Sequence, residues 1–129
     1  MKKKILIVIA NYYKDISKSL LTSAKTQLTK INLKIKTIEV PGIFEVPVTI
    51  AKNINKYDGF IALGCVIQGQ TPHFKFISKS TTDSIMYISV KHKKPIGNGI
   101  LTCINMKQAK ARKNKGAEAA KAVISVLSQ

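Results

Sequence analysis

The run Phe60 to Val66 constrains this chain more than any other stretch. It is apolar from end to end, apart from one glycine, and suits a strand buried on both faces. The residues just beyond it are equally informative. Gln68-Gly69-Gln70 forms a small polar loop, and Thr71-Pro72 is a helix-start signal, with the hydroxyl at N-cap and proline at N1. Residues 73 to 90 are expected to be the helix. A strand, a glycine-bearing loop and a helix N-terminus together make an anion site, because the first helical amides have no internal partners and carry partial positive charge. His73 falls in that first turn, where an imidazole can take or give a proton near neutral pH. The plainer reading of the same residues is an ordinary capped helix with a surface histidine.

The rest of the chain repeats this alternation. Lys4 to Ala10 reads as a central strand. Asp15 or Ser17 can start a helix whose apolar positions are Ile16, Leu20, Leu21, Ala24, Leu28 and Ile31. Leu33 to Val40 alternates as an edge strand does, and Pro41-Gly42 breaks it. Ile43 to Pro47 leads into a helix with Val48, Ile50, Ala51 and Ile54 as its buried side. The helix after the central strand is expected to bury Phe74, Ile77, Ile85 and Ile88. Pro95 to Leu101 reads as a fourth strand in which Gly97 and Gly99 mark a bulge or a close approach of backbone, with Asn98 between them. Asn105 begins the last helical region, Lys113 to Gly116 looks like a break or C-cap, and 117–127 is apolar nearly all round, which points to a subunit interface or dense core packing. The order β-α-β-α-β-α-β-α implies a mostly parallel sheet with helices on both faces. Ligands of such sheets bind beyond the carboxyl ends of the strands. Those ends are read as Asn11 to Tyr13, Gly42 to Glu45, Val66 to His73, and Asn98.

Composition narrows the function classes. A chain of 129 residues, 45% hydrophobic and 22% charged, is expected to be one soluble domain spanning 1–129. No apolar run approaches a membrane span. Lys2 to Lys4 before an apolar segment resembles a signal peptide only superficially, since the segment is short and has no small-residue cleavage site, so a cytoplasmic location is expected. Cys65 and Cys103 have no metal-ligand spacing and read as small core residues. The formal charge of +16 suggests anionic partners, but the lysines are spread along the chain, and no helix-turn-helix, zinc-finger or RRM signature is present. A nucleic-acid-binding role therefore rests on charge alone and is set aside. The single arginine, Arg112, is of more interest, because bidentate phosphate contact is a task lysine does poorly.

Taken together, Val40-Pro-Gly-Ile-Phe-Glu-Val-Pro47, Tyr57-Asp58, Leu63-Gly64 with Val66-Ile67, Gly69-x-Thr-x-His73, Gly99-Ile-Leu-Thr102, Gln108-Ala109 with Arg112, and Lys115-Gly116 resemble the lumazine synthase family. The resemblance implies an α/β fold, three layers α/β/α with a four-stranded parallel sheet, flavodoxin-like. It implies a transferase of riboflavin biosynthesis. The family joins 5-amino-6-(ribitylamino)uracil to 3,4-dihydroxy-2-butanone 4-phosphate, releasing phosphate and water and giving 6,7-dimethyl-8-ribityllumazine without a metal or other cofactor.

By the same resemblance His73 is the proton-transfer residue, and Tyr12 stacks on the pyrimidine. Ile43, Phe44 and Glu45 wall and bond the ring and ribityl chain, and Cys65, Val66 and Ile67 give the backbone edge that reads the uracil. Gln70, Thr71 and Arg112 hold the phosphate, while Asn98 and Lys115 complete the pocket. Asn98, Arg112 and Lys115 are expected from the neighbouring subunit of a homopentamer, alone or assembled into a decamer or 60-subunit shell. The chain departs from the family at Gln68 and Gln70, where an arginine and an acidic residue are common, and at Asn98, where an aromatic is common. These departures keep open an alternative: a flavin- or lumazine-binding or shell-forming relative with weakened catalysis.

Overall fold

Four parallel strands form one sheet in the computed structural model, which describes residues 2–129. They are β1 (Lys3–Ala10), β2 (Leu33–Val40), β3 (Gly59–Ile67) and β4 (Ile96–Cys103), in the order β2-β1-β3-β4. The two most apolar strands, β1 and β3, are central, and the alternating β2 is at an edge, as their patterns predict.

Helices α1 (Lys14–Leu28) and α5 (Lys115–Leu127) cover one face, and α2 (Val46–Lys52) and α3 (His73–His92) cover the other. The period of two along β1 explains why. Ile5, Ile7 and Ile9 pack with Ile16, Leu20, Leu28 and Val123, whereas Leu6, Val8 and Ala10 pack with Val46, Ile50 and Ile85. Each fully buried Ile or Leu contributes about 1.5–3 kcal/mol. A short helix α4 (Met106–Ala111) precedes α5 and is capped by Asn105, whose side chain accepts from the Gln108 amide at 2.9 Å. The architecture is the three-layer α/β/α, flavodoxin-like arrangement.

Several local expectations are corrected. Neither Asp15 nor Ser17 starts α1, which begins at Lys14. Ser17 is buried, and its hydroxyl donates to the Ala10 carbonyl at 2.7 Å. In α2 the buried residues are Val46 and Ile50, with Ile54 buried in the turn just beyond, while Val48 and Ala51 face outward. Helix α3 starts at His73, so Pro72 takes the N-cap position and Thr71 stands before it; the Thr71 Oγ1 accepts from the His73 amide at 3.4 Å. Phe74 is only half-buried.

Gly97 and Gly99 make no bulge, since β3 and β4 pair without interruption from Phe60↔Ile96 to Ile67↔Cys103. The close approach there is by α5 of the same chain: a β-carbon on Gly97 would stand 2.3 Å from the Ala119 carbonyl oxygen. Gly116 is not a C-cap but lies in the first turn of α5, pressed against the Leu20 carbonyl of α1. The two apolar sides of α5 are thus met largely by α1 and the sheet, leaving Val126 exposed.

Candidate active site

The chain runs from β1 outward to β2 and then back across to β3, so the connections diverge above the β1/β3 boundary. A crevice opens at the carboxyl end of such a switch point. The register shapes it further. Pairing of β1 with β3 stops at Ile9↔Leu63, whereas β3 continues against β4 as far as Ile67. Residues 64–67 therefore extend past the last β1 partner on that side. The overhang is held by the Gln68 amide, which donates to the Cys103 carbonyl at 2.9 Å.

The resulting cleft is about 640 Å³ and is lined by Tyr12 and Tyr13 after β1, Gly42 to Phe44 after β2, Cys65 to Ile67, and His73, Phe76, Ile77 and Ser80 of α3. Its walls have local causes. Gly64 carries no side chain, which lets Ile43 lie against the strand; a β-carbon there would stand 2.4 Å from Ile43 Cδ1. The Tyr12 and Tyr13 rings meet edge to face at 4.9 Å. Burial, and then its neighbour Tyr12, raises the Tyr13 phenol. Burial, and then nearby Cys103, pushes the Cys65 thiol up to about 12. At neutral pH Cys65 is thus a protonated wall residue rather than a nucleophile. Tyr12, Phe44 and Phe76 are 75%, 74% and 67% exposed around the mouth, so the single chain leaves a largely apolar rim uncovered.

Of the residues singled out from the sequence, Tyr12, Ile43, Phe44, Cys65, Val66, Ile67 and His73 share this cleft. Gln70 and Thr71 are exposed on the loop that enters α3 beside His73. Glu45 closes a 3₁₀ turn (Ile43–Glu45); it is half-buried and does not line the cleft.

Arg112 and Lys115 lie elsewhere. They line a second cleft of about 430 Å³, with Ile100 to Thr102, Ala111, Asn114 and Glu118, at the β4 edge of the sheet. Arg112 makes no ion pair; among the described residues the one such pair is Lys79–Asp83. Asn98 corrects an expectation. It is the third residue of β4, opposite Ala62, and not at a carboxyl end. It is exposed, and its Oδ1 accepts from the Ile100 amide at 3.1 Å.

Phe76, Ile77 and Ser80 line the cleft in addition to the residues expected there from sequence, and Tyr13, read from sequence only as part of a strand end, joins them. Steps of three and four from His73 reach Phe76, Ile77 and Ser80, so helical periodicity carries the signal for those three.

Comparison with known proteins agrees with the reading of the whole chain. The family described as 6,7-dimethyl-8-ribityllumazine synthase matches residues 2–129. The chain is 42% identical over 137 aligned residues to the 6,7-dimethyl-8-ribityllumazine synthase of Bartonella tribocorum, covering 98% of this chain and 91% of that one. It is 40% identical over 138 to the protein of the same name from Agrobacterium fabrum, covering 98% and 93%. Among solved structures, a protein fragment from Peptoclostridium difficile 630 superposes with a TM-score of 0.54 at 16% identity, covering 93% of this chain and 98% of that one, which is a likeness of fold alone.

Proposed function

The chain belongs to the 6,7-dimethyl-8-ribityllumazine synthase family, and on that premise we propose that it condenses 5-amino-6-(ribitylamino)uracil with 3,4-dihydroxy-2-butanone 4-phosphate. The product is 6,7-dimethyl-8-ribityllumazine, with phosphate and water released, as a step of riboflavin biosynthesis. The whole chain acts as a single domain. Supporting this reading is one observation above others: His73, Tyr12, Ile43, Phe44 and the overhang of β3 face one apolar cleft.

The pyrimidine stacks on Tyr12, with its polar edge against the peptide groups of Cys65 to Ile67 and its ribityl chain toward Ile43, Phe44 and Glu45. The phosphate of the second substrate sits at Gln70, Thr71 and the first free amides of α3. The uracil's amine attacks the ketone and the carbinolamine loses water; a proton leaves carbon as phosphate is eliminated, the resulting enol ketonises, and the second nitrogen attacks that new carbonyl and expels a second water as the ring closes. Each step moves a proton, and His73 beside the phosphate end serves as the carrier, a contribution of about 10²–10⁴-fold for a typical general acid or base. Holding both substrates in contact supplies more, up to about 7–11 kcal/mol of the barrier.

No lysine or arginine lines the proposed cleft to balance a phosphate dianion, and Arg112 of the same chain lines a different cleft. The site is therefore shared: a neighbouring protomer of a homopentamer brings its β4 edge, with Asn98, Arg112 and Lys115, over the apolar rim of Tyr12, Phe44 and Phe76. The pentamer stands alone or assembles further into a decamer or shell. No described helix is long and apolar enough to cross a membrane, and the enzyme is proposed to work in the cytoplasm.

Mixing the purified protein with both substrates and following lumazine fluorescence tests the assignment. Formation faster than the uncatalysed background supports it. Tight lumazine binding without turnover would instead favour a relative with weakened catalysis.

A further inference from the structure

The opposite end of the sheet carries a feature that the proposed reaction does not use. Where the four strands begin, Lys2, Lys4, Lys34, Asn55, Lys56, Tyr57, Asp58 and Lys94 line a concavity of about 510 Å³. It contains five ammonium groups and one carboxylate, and that carboxylate is already engaged. Asp58 Oδ2 accepts from the Lys4 amide at 2.8 Å, while the Asp58 amide donates to the Lys4 carbonyl at 2.8 Å.

Two further observations separate this pocket from a solvated lysine surface. Lys4 and Lys34 are directly paired across β1 and β2, so their side chains leave the same face of the sheet side by side. Like charges in that relation repel and destabilise the pairing. Lys94 is held in place: its Nζ donates to the Ile54 carbonyl at 2.6 Å, and its own carbonyl accepts from the Ser89 hydroxyl at 2.7 Å. The helix C-cap just before it, Lys93, takes the left-handed conformation, with φ of 55°.

We infer that this pocket is a binding site for a compact small-molecule polyanion of the oligophosphate class, separate from the proposed active cleft. Point-like ammonium groups attract charge without imposing the planar fork that a guanidinium would. Tyr57, the one aromatic ring lining the pocket, is half-buried and meets Phe60 in a T-shaped contact at 6.0 Å, so successive bases of a strand would find only a single, partly covered ring to stack on. These features favour a small polyphosphate over a nucleic-acid strand.

The test is calorimetric titration of inorganic tripolyphosphate into the full chain. It compares wild type with Lys4→Gln/Lys34→Gln, with Lys18→Gln/Lys121→Gln as a control of equal charge, and with Arg112→Ala. Lys4→Gln leaves the backbone amide that holds Asp58 in place. The pocket variant is expected to raise the dissociation constant about tenfold or more. The control and Arg112→Ala are expected to stay within about twofold. Without ligand the pocket variant should melt above wild type, because the cross-strand repulsion is gone, and tripolyphosphate should raise the melting temperature of wild type, the control and Arg112→Ala by more than that of the pocket variant. The inference is overturned if wild type does not bind, or if the control weakens as much as the pocket variant. It is equally overturned if Arg112→Ala abolishes binding, which would place the anion at the other cleft. Tighter binding of single-stranded RNA, lost in the pocket variant, would replace it with a nucleic-acid surface.

Discussion

The backbone of Gly97 in β4 lies against the carbonyl of Ala119 in α5, leaving room for a hydrogen and not for a methyl group: a β-carbon would be 2.3 Å from that oxygen. The obstacle is main chain, so no side-chain rotation relieves it. Gly97→Ala is expected to lower stability by about 1–3 kcal/mol in urea unfolding, the usual cost of overpacking. Gly69→Ala, where nothing stands within 4 Å, should change it by no more than about 0.5 kcal/mol.

Ser17 ties the start of α1 to the end of β1 through its hydroxyl, which donates to the buried Ala10 carbonyl. Ser17→Ala removes that bond and is expected to cost about 1 kcal/mol of stability. Tyr12 sits two residues beyond Ala10, so the same variant should also raise KM for the pyrimidine substrate. Parallel unfolding curves and steady-state kinetics check the two effects.

His73 and Arg112 should separate kinetically. His73→Ala is expected to lower kcat by about 10²–10⁴-fold with little change in KM. Arg112→Ala should chiefly raise KM for the butanone phosphate. An unchanged KM in Arg112→Ala would exclude that residue from the phosphate site.

Cys65 gives a pH signature. Burial keeps its proton on up to about 12, whereas the unfolded chain releases it near 9.0, so between those values the folded state holds a proton that the unfolded state has lost. Stability contributed by this group is complete below the lower value and falls as pH rises toward the higher one. Lysines and tyrosines titrate in the same window, so the informative quantity is a difference. Between about pH 8 and about pH 10.5 wild type should lose more stability than Cys65→Ala. Equal losses would contradict the buried, neutral thiol.

Much of this architecture is legible in the sequence because burial on two faces and on one face leave different patterns. Phe60 to Val66 and Lys4 to Ala10 announce central strands, and Leu33 to Val40 an edge. The cleft is legible where strand ends coincide with chemistry, as at Tyr12, Ile43, Cys65 and His73. What stays hidden depends on tertiary contact. Gly97, Gly99 and Gly116 are patterns of closeness, and a sequence does not say whether helix, ligand or second chain comes close. That ambiguity misplaces Asn98, because glycines set for packing α5 look the same as glycines at a strand end near a ligand. Val48 and Ala51 look buried because they are apolar, but α2 follows a 3₁₀ turn that leaves no mark on the apolar pattern, and its buried residues are Val46 and Ile50, about one turn apart.

The central claim is that one protomer's His73 works with the next protomer's Arg112. It is tested most directly by combining two crippled variants, His73→Ala and Arg112→Ala, unfolding and reassembling them as an equal mixture, and measuring lumazine formation. In a ring of head-to-tail interfaces, about a quarter of the shared sites should regain both wild-type groups, and activity should rise to about that fraction of wild type. A mixture no more active than the two variants measured apart would contradict the shared site.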